Sequence, residues 1–300
     1  MKRSARRDKR RYLDGLAKEA EEAARRNEQS KVYQIVKQLS GRKATTSAPI
    51  KDKSGRLLTT ETEQEKRWQE HFEEVLNRPA PSTPADIPEA ENDLQVNTEP
   101  PTTTKIEEAV RSLKNGKAPG TDNLNAELFK TNPKQAAKTL HPLFQAIWRE
   151  ENIPEQWRKG TIVKVPKKGN LADCNNWRGI TLLSIPSKVL CKIIIKRLGP
   201  ALDKILRKEQ SGFRPGRGCT DHISALRNII EQCSEWQREL YIAFVDYEKA
   251  FDSLHRDSLW RILRAYGVPT KIVSIIKQFY HQFSCSVGSS DLSFAVKSGV

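Results

Sequence analysis

The 300-residue sequence predicts an α+β domain of long helices on a few short strands, and three observations predict it. Apolar residues recur at helical spacing through much of the chain, as at Leu140, Phe144, Ile147 and Trp148. Short β-branched and aromatic runs stand between them, such as Thr161 to Val165 and Leu240 to Val245. No internal repeat is present, so a solenoid is not the reading.

Taken in order, residues 5–39 mix Ala, Glu, Arg and Lys with few apolar positions, an exposed helix that needs RNA, DNA or another partner to order it. A small helical unit around Trp68, Phe72, Val75 and Leu76 follows, and residues 1–79 read as a basic helical connector. Ala80 to Pro101 holds five prolines, five acidic residues and no Lys or Arg, the composition of a disordered linker, so the domain boundary falls at 80–103. Order resumes with the capping box Thr104-x-x-Glu107, and Ile106, Val110 and Leu113 share a helix face that Gly116 ends. The loop Gly116 to Asp122 leads to a helix through Leu128 and Phe129, then to the helix of Leu140 and Phe144 and a strand from Thr161 that stops at Pro166. A helix from about Ser187 to Ile205 comes next.

Beyond the loop SGFRPGRGC, Thr220 caps a helix with Ile223, Leu226 and Ile230 inward, which feeds a buried strand ending on Asp246. Helices near 256–266 and 270–282 are parted by Gly267-Val-Pro269. Cys285 to Val287 and Leu292 to Val296 alternate around Gly288-Ser-Ser as a hairpin does.

The formal charge of +15 is unevenly spread. Residues 1–43 carry 14 Lys/Arg against 6 Asp/Glu and residues 158–218 carry 15 against 3, which leaves −5 for the rest. Two basic stretches on a mildly acidic chain point to a polyanion partner, most simply nucleic acid. No apolar run reaches the roughly 18 residues a membrane span needs, so no membrane partner is expected. Cys174, Cys191, Cys219, Cys233 and Cys285 lack CxxC or His-pair spacing and read as reduced intracellular thiols. Lys2 to Arg11 is either a nuclear localisation run or a solvated helix face, so nucleus and cytoplasm both stay open.

The most informative stretch is Ala243 to Asp252, AFVDYEKAFD. A carboxylate at the exit of a buried strand, Asp246, can hold a divalent metal against a phosphate, and the Lys-Ala-Phe step beyond it can wall a nucleotide pocket. That combination suggests nucleotidyl transfer.

With LKNGKAPGTDNLNAELFK, IVKVPKKGNLADCNNWRGITLLS, EQSGFRPGRGCTDHI, FVDYEKAFDSL and the terminal SGV in order, the chain resembles the reverse transcriptase of non-LTR (long interspersed) retrotransposons from about Thr104 onward. The resemblance implies a right-hand polymerase fold, of which 104–300 would be fingers and partial palm. It also implies an RNA template, a DNA primer, deoxynucleoside triphosphates and two Mg²⁺ ions, with Mn²⁺ as a substitute. Asp246 matches the catalytic carboxylate that bridges both metals, with the carbonyl of Tyr247 beside it. Phe251 matches the aromatic that excludes a 2′-hydroxyl, with a plain core phenylalanine as the alternative, and Asp252 is either part of the same motif or an N-cap for the next helix. Arg178 matches the fingers arginine that grips the triphosphate, and Lys167 and Lys168 share the work or are solvated loop charges. Gln210, Gly212, Phe213 and Arg214 correspond to a segment placed against template and primer, with a simple flexible loop as the alternative. Gly116, Lys117, Pro119 and Gly120 match a loop near the RNA, with a structural turn as the competitor.

In that family SGV precedes a Gln-Gly segment and an Ala-Asp-Asp turn, and this chain has no adjacent Asp-Asp, so the expectation is a C-terminally truncated chain that does not polymerise by itself. An upstream endonuclease and downstream palm and thumb would complete the element. A second reading is a non-catalytic RNA-binding remnant of such an element. A helix-turn-helix at 256–282 is disfavoured, because Leu259, Ile262, Leu263, Ile272, Ile275 and Ile276 leave few polar positions to read bases.

Overall fold

Periodic apolar residues become helices here wherever a neighbouring surface can bury them. The structure, a computed structural model, describes residues 2–26, 28, 31–32, 35–36, 49–83, 86–288, 290 and 292–299. It divides into two units, 1–49 and 50–300. In the first, α1 (Lys2–Arg25) is highly charged, with Ala23 and Ile35 buried and an ion pair from Lys31 to Glu19. Much of the expected helix beyond residue 28 lies outside the described residues.

The second unit opens with a two-stranded antiparallel pair, β1 (Ile50–Lys51) and β2 (Leu57–Leu58). Helix α2 (Glu61–Leu76) follows, its first turn capped by the Thr60 hydroxyl, which accepts from the Glu63 amide. Trp68, Phe72 and Val75 are buried on one face, as their spacing predicts. That face joins a core with Ile162, Cys174, Cys285, Phe294 and Val296, so the helix belongs to the same unit as the sheet.

The described residues of 80–103, read from composition as a disordered linker, instead form a strap without helix or strand, apart from a first helical residue at 103. Distant residues supply what its composition lacks. Arg264 pairs with Glu89 and Asp93, and the Leu94 amide donates to Gly267 O at 2.6 Å. Arg197 donates to Asn97 O and Glu99 O, Trp148 Nε1 donates to Thr98 O, and Leu94 and Val96 pack on the main core.

Helices α3 (Thr103–Arg111), α4 (Ala126–Thr131) and α5 (Pro133–Glu150) come next. The cap of α3 is Thr102, accepting from the Lys105 amide, and not Thr104, because Thr103 already takes helical conformation. Ile106, Val110 and Leu113 are buried as expected. The sheet has order β4-β3-β5-β6, with β3 (Lys159–Pro166) antiparallel to β4 (Trp177–Leu182) and parallel to β5 (Ser284–Val287). β6 (Ser293–Ala295) pairs antiparallel to β5, which is the expected hairpin. Helix α6 (Ile185–Ile205) packs Val189, Leu190 and Ile193 into the main core beside α3, α5 and α9 (Thr270–Gln278). Among the described residues no helix is long and apolar enough to cross a membrane.

Two expectations fail between α6 and α9. Helix α7 (Cys219–Glu235) forms but buries none of its residues, so Ile223 and Ile230 face outward, and its N-cap is Gly218 and not Thr220. The stretch 238–246 forms no strand, and Phe244 is 83% exposed. An apolar run becomes a buried strand only when an adjacent strand accepts its hydrogen bonds, and none of the six strands among the described residues pairs with it. Helix α8 (Arg256–Ala265) resumes regular structure.

Candidate functional site

The β3–β4 turn carries three of the expected residues. The Lys167 amide donates to Asn176 O, and its ammonium donates to Asn175 O at 3.1 Å, which pins the turn. Lys168 is exposed beside it. Arg178 is the second residue of β4, opposite Val165 in register, and its guanidinium side is exposed. The next residue must be glycine, because a Cβ on Gly179 would sit 2.6 Å from the Phe72 ring of α2.

Asp252 is a carboxylate on which Lys167 and Arg178 of this turn act electrostatically. The segment after Asp246 coils into turns, with Lys249 at φ +51° and the Ser253 amide donating to Lys249 O. Asp252 is half-buried, and burial raises its carboxyl pKa against the opposing pull of Lys249, Lys167, Arg78 and Arg178. Burial thus outweighs the summed pull of the four cations on this carboxyl. Asp252 does not cap α8; His255 holds that place, its ring accepting from the Ser258 amide. Gly299 closes the cluster from below, its amide donating to Leu254 O at 2.8 Å, and a Cβ there would lie 2.7 Å from Asp252 O.

Two aromatics stand at the edge. Phe251 and Phe213 meet edge to face at 6.0 Å, and both are exposed, Phe213 at 95%. Phe213 also has φ +59°, a conformation a bulky side chain rarely takes. The plain-core alternative for Phe251 therefore falls.

Asp246 and Tyr247 lie on the exposed irregular segment, not at the end of a buried strand. Among the described residues no group of three or more His, Cys, Asp or Glu side chains is placed to hold a metal ion. One carboxylate and one carbonyl fall short of a divalent-metal site.

Residues 165–299, which contain Lys167, Arg178, Phe251, Asp252 and Gly299, match the family described as reverse transcriptase (RNA-dependent DNA polymerase). The chain carries a reverse transcriptase segment of the non-LTR retrotransposon type. It is similar to a transposon TX1 uncharacterized 149 kDa protein of Xenopus laevis, 29% identical over 63% of this chain and 14% of that protein. It is also similar to a probable RNA-directed DNA polymerase from transposon BS of Drosophila melanogaster, 30% identical over 70% of this chain and 24% of the relative. The RNA-directed DNA polymerase from mobile element jockey of the same fly is 25% identical over 65% of the chain and 22% of the relative. The chain thus spans about a quarter or less of the length of these curated relatives.

Within this reverse transcriptase segment the remaining expected residues divide. Arg214 is not available to phosphate, since its fork donates to the Asp203 carboxylate and to the carbonyls of Asp203, Arg207 and Gln210, and its side chain is 5% exposed. Those bonds tie up the end of α6, where unpaired carbonyls gather. Gln210 donates to Gly212 O, within the same loop as the exposed Phe213. Upstream of the segment, Gly120 lies where a Cβ would meet the Leu183 carbonyl carbon at 2.4 Å, so packing against the start of α6 accounts for the glycine. Gly116, at φ +66°, donates its amide to Glu127, and Lys117 is exposed beside it.

Sequence reasoning passed over Asn77, Arg78, Arg256 and His71. Burial, with a smaller push from Lys249, lowers the His71 pKa from 6.5 to about 4. The unfolded chain takes up a proton near pH 6.5 while the folded chain resists, so stability is full above that pH and falls as pH drops toward 4. The shift corresponds to a loss of roughly 1–2 kcal/mol between pH 7 and pH 5. Urea unfolding at the two pH values, with His71→Phe as reference, is expected to show that loss in the native sequence and a smaller one in the variant.

Proposed function

We propose that this chain supplies the fingers and part of the palm of an RNA-directed DNA polymerase of a non-LTR retrotransposon, acting on an RNA template, a DNA primer and deoxynucleoside triphosphates. The observation that carries the reading is that Lys167, Arg178 and Lys249 all act electrostatically on the half-buried Asp252, inside the stretch that matches the family. A planar guanidinium fork suits phosphate oxygens, and the two ammonium groups add charge without fixed geometry. Phe251, exposed beside Phe213, offers a ring for the sugar to pack on and for a 2′-hydroxyl to collide with. Asp246 and the carbonyl of Tyr247 are the groups proposed to face Mg²⁺, which would neutralise charge on the reacting phosphates.

The test is titration of the 300-residue chain with dTTP in the presence of Mg²⁺. Arg178→Ala removes charge-assisted hydrogen bonds worth about 1.5–3 kcal/mol, so affinity should fall about 10- to 100-fold while binding to a structured RNA stays within about twofold. Equal losses in both assays would move Arg178 from the triphosphate to the RNA path.

One observation favours a second reading for the 300-residue polypeptide. Asp246 is exposed on a segment without a pairing strand, and the two basic stretches suit RNA phosphate whether or not chemistry follows. An RNA-binding role without catalysis therefore stands beside the polymerase reading.

A further inference from the structure

Helix α2 and the two residues after it precede the stretch that matches the family, yet they form one wall of the Asp252 cluster. Phe72 presses on Gly179, the neighbour of Arg178. The end of the helix is stitched to residues 295–298. Asn77 Nδ2 donates to Ala295 O at 2.8 Å, and Asn77 Oδ1 accepts from the Lys297 amide at 2.7 Å. The Ser298 amide donates to Leu76 O at 2.9 Å, and the Arg78 amide donates to the Ser298 hydroxyl at 3.2 Å. Ser298 in turn precedes Gly299, which lies against the Asp252 backbone. The Arg78 backbone is thereby fixed beside Ser298, and its side chain is exposed.

We propose that Arg78 is a further triphosphate-binding residue and that Asn77 is the positioning residue that holds it, together with the Ser298–Gly299 turn, beside Asp252. Two observations recommend this over a solvated charge on a helix end. The Arg78 backbone is tied to Ser298, whose neighbour Gly299 packs on the Asp252 backbone, so the root of its side chain is anchored to the turn that carries Asp252. Its charge is also among those that pull on the Asp252 carboxyl, alongside Arg178. A polyphosphate bound by Arg178 on one side would meet Arg78 on the other, two forks on one anion. The inference rests on the triphosphate reading of Arg178.

The experiment titrates the 300-residue chain with inorganic tripolyphosphate at low salt, a probe without base or sugar. Arg78→Ala should weaken binding about 5- to 10-fold, with Arg78→Lys recovering part of the loss, since a point charge replaces the fork. Asn77→Ala should weaken it by a similar factor, and the double variant Asn77→Ala/Arg78→Ala should bind no more weakly than Arg78→Ala alone. Multiplying losses would overturn the positioning role of Asn77. If Arg178→Ala weakens binding and Arg78→Ala leaves it within about twofold, the role of Arg78 is overturned while the triphosphate reading stands. If Arg178→Ala has no effect either, the triphosphate reading fails and takes this inference with it. Arg78 is exposed, so its removal leaves the fold in place, and near-ultraviolet dichroism of each variant checks that.

Discussion

Phe144→Ala is expected to destabilise the second unit by roughly 3–5 kcal/mol, a large fraction of the 5–15 kcal/mol that holds a domain together. Phe144 has no exposed surface and sits where α5 meets the rest of the main core, edge to face with Trp157 at 6.4 Å. Its neighbours Leu140, Ile147 and Trp148 are held by other helices and cannot collapse into the gap. Truncation therefore removes the transfer free energy of the ring and leaves a cavity as well. Urea unfolding followed by tryptophan fluorescence measures the loss, and a drop below about 1 kcal/mol would mean the core relaxes far more freely than its packing implies.

The second large effect is expected at Arg256, the first residue of α8. Its guanidinium donates to Val296 O at 2.7 Å, to Tyr280 O and Gly299 O at 3.1 Å and to Ser298 O at 3.4 Å, and it lies 5.0 Å from the Tyr280 ring centroid. Burial draws its pKa down, yet an arginine stays charged, so the cation is held by carbonyl oxygens. Arg256→Met keeps the apolar stem and removes every donor. The orphaned carbonyls border an apolar cavity of about 330 Å³, which water can enter to restore part of what is lost. The expected cost is about 2–4 kcal/mol, from several unsatisfied acceptors at 1–3 kcal/mol each less that recovery. Because Gly299 rests on Asp252, the same substitution should also speed hydrogen exchange at the Gly299 amide. Unchanged exchange would show that Asn77 and Leu76 hold the turn without help.

Helices were legible in the sequence where both the period and the burying surface were local. Leu140, Phe144, Ile147 and Trp148 share one face and all four are buried. The β5–β6 hairpin announced itself through alternation and a glycine turn. Strand β4 escaped notice because Trp177 to Leu182 lacks clean alternation, and only its partner β3 makes it a strand. The strap at 80–103 was misread for a related reason. Its own residues cannot order it, and the groups that do, Arg264, Arg197 and Trp148, stand far away in the chain.

The site follows the same division. Arg178, Lys167 and Phe251 are singled out by motif, and in the fold both cations act electrostatically on Asp252, with Phe251 next to it in the chain. Asp246 is exposed and Asp252 half-buried because burial is a property of the whole chain: 240–246 reads as a strand by composition and finds no pairing edge. Arg214 shows the converse, a cation in a matching loop whose hydrogen bonds are already spent on the end of α6. Asn77 and Arg78 gave no signal at all, since their importance depends on a β6 exit more than 200 positions away in the chain.

The most direct test of the central claim is primer extension by the 300-residue chain on an RNA template with Mg²⁺ and all four deoxynucleoside triphosphates, run beside Asp246→Ala under conditions where dTTP binding has been measured. On the proposed reading Arg178 holds the triphosphate while Asp246 lies exposed on an irregular segment, so the expected result is triphosphate binding that depends on Arg178 with no extension above the Asp246→Ala control. Extension that Asp246→Ala abolishes would contradict this, because it would mean that Asp246 reaches a working metal site in this polypeptide.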